Sequence, residues 1–146
     1  MKKILLPTDG SENAVRAGKI AILTAELDTY IVMLYVIDAD HLNTIRQWDL
    51  KKKLKEELID EGEKAIISFK KLIEDRKTQG QYKNVKFISL IKEGKPAEVI
   101  LKTIDEEGID QVIMGKSGKQ GLEKFFVGST TEKVVRDSNV PVNVIS

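Results

Sequence analysis

The chain has 146 residues, no cysteine, and 24 basic against 23 acidic side chains, for a net charge of +1. A chain of this size buries roughly 68–70% of its unfolded surface in a single core, disulfides are excluded, and near-neutral charge argues against a broad nucleic-acid or acidic-partner surface. Met1 leads straight into a strand pattern without signal-peptide features, and no apolar run approaches the roughly eighteen residues of a membrane span. One cytoplasmic domain over residues 1–146 is therefore expected, with neither membrane nor nucleic acid as partner.

Strand and helix patterns alternate along the chain. Lys3 to Leu6 is a short apolar strand; Ser11 to Leu27 carries Ala14, Ala17, Ile20, Ala21, Thr24 and Leu27 at helical spacing; Tyr30 to Ile37 is apolar enough for a strand covered on both faces. A long helix is expected from about Trp48 to Asp75, with Leu50, Leu54, Leu58, Ala65, Ile66, Phe69 and Ile73 as its inward stripe, Trp48 packed beneath it and Gly62 as a place to bend. Val85 to Ile91 reads as a strand, Pro96 to Glu106 as a helix with proline in its first turn, Gln111 to Met114 as a strand, Ser129 to Asp137 as a helix and Val142 to Ile145 as the last strand. Strands alternating with helices imply a parallel sheet with both faces covered. The least regular stretches, Asp38 to Thr44 and Lys116 to Val127, each follow the C-terminal end of a strand. Ligands of open α/β sheets bind there.

The most specific local signal is Gly115-Lys116-Ser117-Gly118, then nine residues, then Gly128-Ser129-Thr130. It closes an apolar strand and opens a helix, with Ser129 and Glu132 spaced as a capping box. Free N–H groups at a helix start attract an anion, and glycines let a phosphate approach the main chain. Turn chemistry alone would explain the same residues. Two better-known phosphate motifs are absent: the first glycine of a Walker A loop would fall at Asp110, and Gly115, Gly118 and Gly121 do not make the G-x-G-x-x-G of dinucleotide folds.

Four further segments stand in order around this signal: Lys3-Ile4-Leu5-Leu6-Pro7-Thr8-Asp9-Gly10-Ser11-Glu12, Tyr35-Val36-Ile37-Asp38, Glu93-Gly94-Lys95-Pro96-Ala97 and Val140-Pro141-Val142-Asn143-Val144-Ile145. Together the segments resemble the universal stress protein family, specifically its ATP-binding branch, over essentially the whole chain. The resemblance implies a Rossmann-like, adenine nucleotide alpha hydrolase-like fold: an open parallel five-stranded sheet of order 3-2-1-4-5 with helices on both faces. It further implies ATP in the crevice between the first and fourth strands, held by Pro7, Thr8, Asp9, Val36, Met114, Gly115, Lys116, Gly118, Gly128, Ser129 and Thr130. Asp9 would contact ribose or a phosphate-bound Mg²⁺ or Mn²⁺, or else cap the first helix together with Glu12. Val36 would read the adenine edge through its backbone.

Lys116-Ser117 departs from the small polar residue followed by His or Arg that many members carry, which opens the detailed phosphate geometry. Lys119 and Lys124 would enlarge a positive field or face solvent. His41, the sole histidine, has no metal-ligand spacing around it and reads as an exposed loop residue. No general base stands out, so hydrolysis, if any, should be slow. A nucleotide-sensing stress protein is the first expectation. A weak metal-dependent ATPase needing a partner, an AMP or cyclic AMP binder, and a scaffolding dimer with a vestigial pocket are the alternatives. The apolar last strand, at a sheet edge in the implied order, is expected to pair across a two-fold axis in a homodimer.

Overall fold

The computed structural model describes residues 2–25, 28–78, 85–116 and 128–146. Its strands are β1 (Lys2–Thr8), β2 (Thr29–Asp38), β3 (Lys86–Gly94), β4 (Gln111–Gly115) and β5 (Val142–Ile145), and its helices α1 (Glu12–Thr24), α2 (Ala39–Asn43), α3 (Trp48–Thr78), α4 (Pro96–Glu107) and α5 (Ser129–Asp137). The five strands pair in parallel in the order β3-β2-β1-β4-β5, as expected.

Consecutive apolar residues in β1, β2 and β4 are explained by the two-residue alternation of a strand covered on both sides. Ile4, Leu6, Ile31, Met33 and Ile113 face one way and pack with Ala17, Ala21 and Ile22 of α1 and Phe69 and Ile73 of α3. Leu5, Val32, Leu34, Val112 and Met114 face the other and pack with Ala97, Ile100 and Ile104 of α4 and Val134 of α5. Each fully buried branched side chain here contributes about 1.5–3 kcal/mol of transfer free energy. A third cluster, Tyr35, Ile37 and Leu42 with Leu54, Leu58 and Ile59, ties the end of β2 to α2 and the first half of α3.

Several expectations are corrected. α3 is not interrupted at Gly62 but runs as one helix from Trp48 to Thr78; a Cβ there would lie 2.7 Å from Cδ1 of buried Tyr35, so the glycine lets the helix lie against that ring. Leu50, placed on the inward stripe, is 52% exposed, and Trp48 is 69% exposed rather than packed beneath the helix. α1 stops at Thr24, with Ala25 as its cap, whereas Leu27 lies outside the described residues. β3 continues past Ile91 to Gly94, pairing Lys92 and Glu93 with Val36 and Ile37. Two polar residues end the apolar pattern without ending the strand, because the covering helices meet their charges. Lys92 Nζ donates to Thr103 Oγ1 (2.9 Å) and Glu106 Oε2 (3.2 Å) on α4, and Glu93 pairs with Lys55 of α3 at 3.0 Å. The Lys92 hydrogen bond also holds the Glu106 carboxyl below its ordinary pKa.

Candidate functional site

The chain fills β1, β2 and β3 in one direction, then crosses through α4 to β4 and β5 on the other side. Winding therefore reverses between β1 and β4, and a crevice opens beyond their C-terminal ends. β1 pairs with β2 only as far as Thr8 opposite Tyr35, while β2 runs on to Asp38 beside β3. Val36, Ile37 and Asp38 thus have a strand on one side only, and their other side borders the crevice.

The turn after β1 is fixed by its own side chains. Thr8 Oγ1 accepts from Gly10 N–H (3.1 Å) and Asp9 Oδ1 accepts from Ser11 N–H (2.9 Å), and Gly10 adopts the left-handed φ of +80° that this tight turn demands. Ser11, not Asp9, caps α1, accepting from Ala14 N–H at 3.2 Å. The alternative reading of Asp9 as the helix cap is thereby replaced by an Asx turn that occupies one carboxylate oxygen.

At the other wall, β4 ends on Gly115, and the reason for glycine there is α1. A Cβ on Gly115 would lie 2.9 Å from the Asn13 carbonyl carbon and 3.0 Å from Ala14 N, main-chain atoms that cannot swing aside. α5 begins after Gly128, which is its N-cap and makes no side-chain cap hydrogen bond. The capping box expected from Ser129 and Glu132 does not form, because Ser129 is already the first helical residue; Glu132 instead donates its backbone N–H to Gly128 O at 2.8 Å. Among the described residues the opening N–H groups of α5 consequently have no N-cap side-chain acceptor, the arrangement that favours an anion. Two backbone bonds hold the junction: Lys116 N–H to Ile145 O (2.8 Å) and Gly128 N–H to Lys116 O (2.9 Å). A side-chain bond adds to them, from the Thr131 hydroxyl to Gly115 O at 3.1 Å.

These walls enclose a cavity of about 370 Å³, within the span of small-molecule sites. Of the expected contact residues, Pro7, Thr8, Asp9, Val36, Met114, Gly115, Gly128, Ser129 and Thr130 line it. Lys116 is not among the lining residues; its backbone clamps the junction instead. Gly118, with Ser117, Lys119 and Lys124, lies outside the described residues. Unanticipated lining comes from Thr131, from Asp38 and His41, and from the apolar Leu58, Pro96 and Ile100. His41 is exposed as expected, yet belongs to α2, a helix whose first N–H groups Asp38 caps. Thr131 follows the Gly-Ser-Thr triplet directly, and that adjacency is the one signal in the sequence that points to it. Among the described residues, Asp9 and Asp38 are the lining carboxylates, and no group of three or more His, Asp or Glu gathers to hold a metal by itself. No helix among them is long and apolar enough to cross a membrane.

The sequence matches the universal stress protein family over residues 1–146. It is 34% identical over 148 residues to universal stress protein MJ0531 of Methanocaldococcus jannaschii, covering 99% of this chain and 81% of that one. The solved structure of MJ0577 from the same organism superimposes with a TM-score of 0.83 at 35% identity, over 99% of this chain and 94% of that one. Two distant solved members are alike in fold: an Arabidopsis thaliana protein with AMP bound (16% identity, TM-score 0.66, 99% and 91% covered) and a universal stress protein in complex with cAMP (17%, 0.55, 99% and 95%). Whole-chain sequence match, strand order and superposition agree: the chain belongs to the universal stress protein family.

Proposed function

We propose that residues 1–146 form one adenine-nucleotide binding domain, with ATP as its first ligand, that acts in the cytoplasm as a sensor or regulator of the stress response. The observation that carries this reading is the meeting of Gly115 with the uncapped start of α5 across a cavity at the point where the sheet reverses its winding. The phosphates would lie against Gly128, Ser129 and Thr130, where helix N–H groups and dipole favour negative charge. The base would lie toward Val36, Leu58 and Ile100, which supply apolar walls and a strand border. AMP and cAMP in distant relatives support an adenine nucleotide of some phosphorylation state. Asp9 has a free carboxylate oxygen beyond its turn bond, which fits a Mg²⁺ or Mn²⁺ ion held chiefly by phosphates and water rather than by a protein cage. The outer edge of β5 is the proposed homodimer contact.

The test is mass spectrometry of small molecules released from the purified, denatured protein, with calorimetric titration of ATP, ADP, AMP and cAMP. Binding of at least one of these at micromolar concentration is expected, and Gly118→Val should abolish it without lowering the melting temperature. Equal affinity in Gly118→Val would reject the phosphate assignment, and binding of none of the four would reject the function. ATP turnover above a metal-free control would favour the weak-ATPase reading.

A further inference from the structure

A second cavity, of about 570 Å³, lies on the opposite side of α2, between that helix, the first turns of α3 and the end of β3. Its floor is apolar, with Ala39, Leu42 and Ile59. Its wall includes Trp48, the only tryptophan, left 69% exposed. Leaving an indole in water forgoes a burial that ordinarily stabilises by a few kcal/mol, and the cores described above do not use it.

Three lysines line the cavity, each held by a contact within the fold. Lys52 Nζ lies 5.3 Å from the Trp48 ring centroid, Lys51 Nζ donates to Asn43 Oδ1 at 2.8 Å, and Lys55 pairs with Glu93 at 3.0 Å. An ammonium has three N–H donors, so these contacts leave donors unused on every one of them. Among the described residues Glu56 and Glu93 are the carboxylates in the lining, which leaves a single positive charge in excess there. An apolar floor, an aromatic wall and one uncompensated cation suit a particular kind of molecule.

We propose that this cavity is a second ligand site, for a small amphipathic anion with an apolar or flat body and one carboxylate, sulfonate or phosphate group. The body would cover Leu42, Ile59 and the Trp48 ring, and the anionic group would meet Lys51 and Lys52. The volume falls within the roughly 300–1,000 Å³ of small-molecule sites.

The probe is anilinonaphthalene sulfonate, which has this chemistry, titrated into the intact chain while the emission of Trp48 is followed, with and without AMP. Saturable quenching at one equivalent, unaffected by AMP, is the expected result. Lys52→Glu, which reverses the charge balance and removes the cation beside the ring, should weaken binding about tenfold. Lys51→Glu, read by the probe's own fluorescence, should weaken it similarly without altering Trp48. Unsaturable quenching, equal affinity in both variants, or displacement of the probe by AMP would overturn the proposal. The outcome is independent of whether the first cavity takes ATP.

Discussion

Asp9 serves the turn after β1 through one carboxylate oxygen, which accepts the Ser11 N–H. An asparagine keeps that acceptor while losing the charge, so Asp9→Asn separates the two roles. Stability should change by less than about 0.5 kcal/mol, as expected where the turn bond survives, whereas ATP affinity should fall in Mg²⁺ and change little in EDTA. Calorimetry in the two buffers checks this, and an equal loss in both would remove the metal from the account. At this scale the sequence was informative about which residues matter and less so about why. Gly115 was visible as a glycine of a phosphate loop, but the crowding that requires it comes from the α1 main chain, a contact between segments a hundred residues apart that no local pattern encodes. Thr131 and His41 escaped for a related cause, since they line the cavity only once strand ends and helix starts are placed in space.

Gly62 shows how one helix is fitted to the sheet. Alanine would favour α3 by about 1 kcal/mol of helix propensity, yet its Cβ would lie 2.7 Å from the ring of Tyr35, which is 3% exposed. Overpacking of this kind costs about 1–3 kcal/mol, so Gly62→Ala should destabilise by about 1 kcal/mol net, measured by urea denaturation; a stabilised variant would show that the ring has room to move. Most elements were legible because their apolar spacing is set by burial on two faces, as in Ile4-Leu5-Leu6. α2 was not, because five residues are too few to show a helical period and its signature reduces to the Asp38 cap. The polar end of β3 was missed because Lys92 and Glu93 look like a loop until α4 and α3 supply their partners.

For the molecule as a whole, β5 is the last strand of the sheet on its side. Val142, Val144 and Ile145 are half-buried and Asn143 exposed, so the strand offers an apolar edge with one row of backbone groups unpaired by any described strand. Such edges are ordinarily short, charged or covered; this one is short and carries no charge. In the proposed homodimer, antiparallel pairing of two copies through it would close a two-fold assembly, and Val144→Lys should shift sedimentation from dimer to monomer without changing the proposed binding of ATP. A parent chain that sediments as a monomer at micromolar concentration would refute the pairing.

The peptide group of Lys116 has a longer reach than its own contacts. Its carbonyl accepts the Gly128 N–H at 2.9 Å and its N–H donates to Ile145 O at 2.8 Å, so one residue ties the end of β4 both to β5 and to the start of α5. Both bonds are made by main-chain atoms, so they persist with any side chain but proline's at this position. The side chain at 116 is therefore open to replacement without loss of the β4–β5–α5 joint, and its charge can be changed beside the cavity while the scaffold stays as it is.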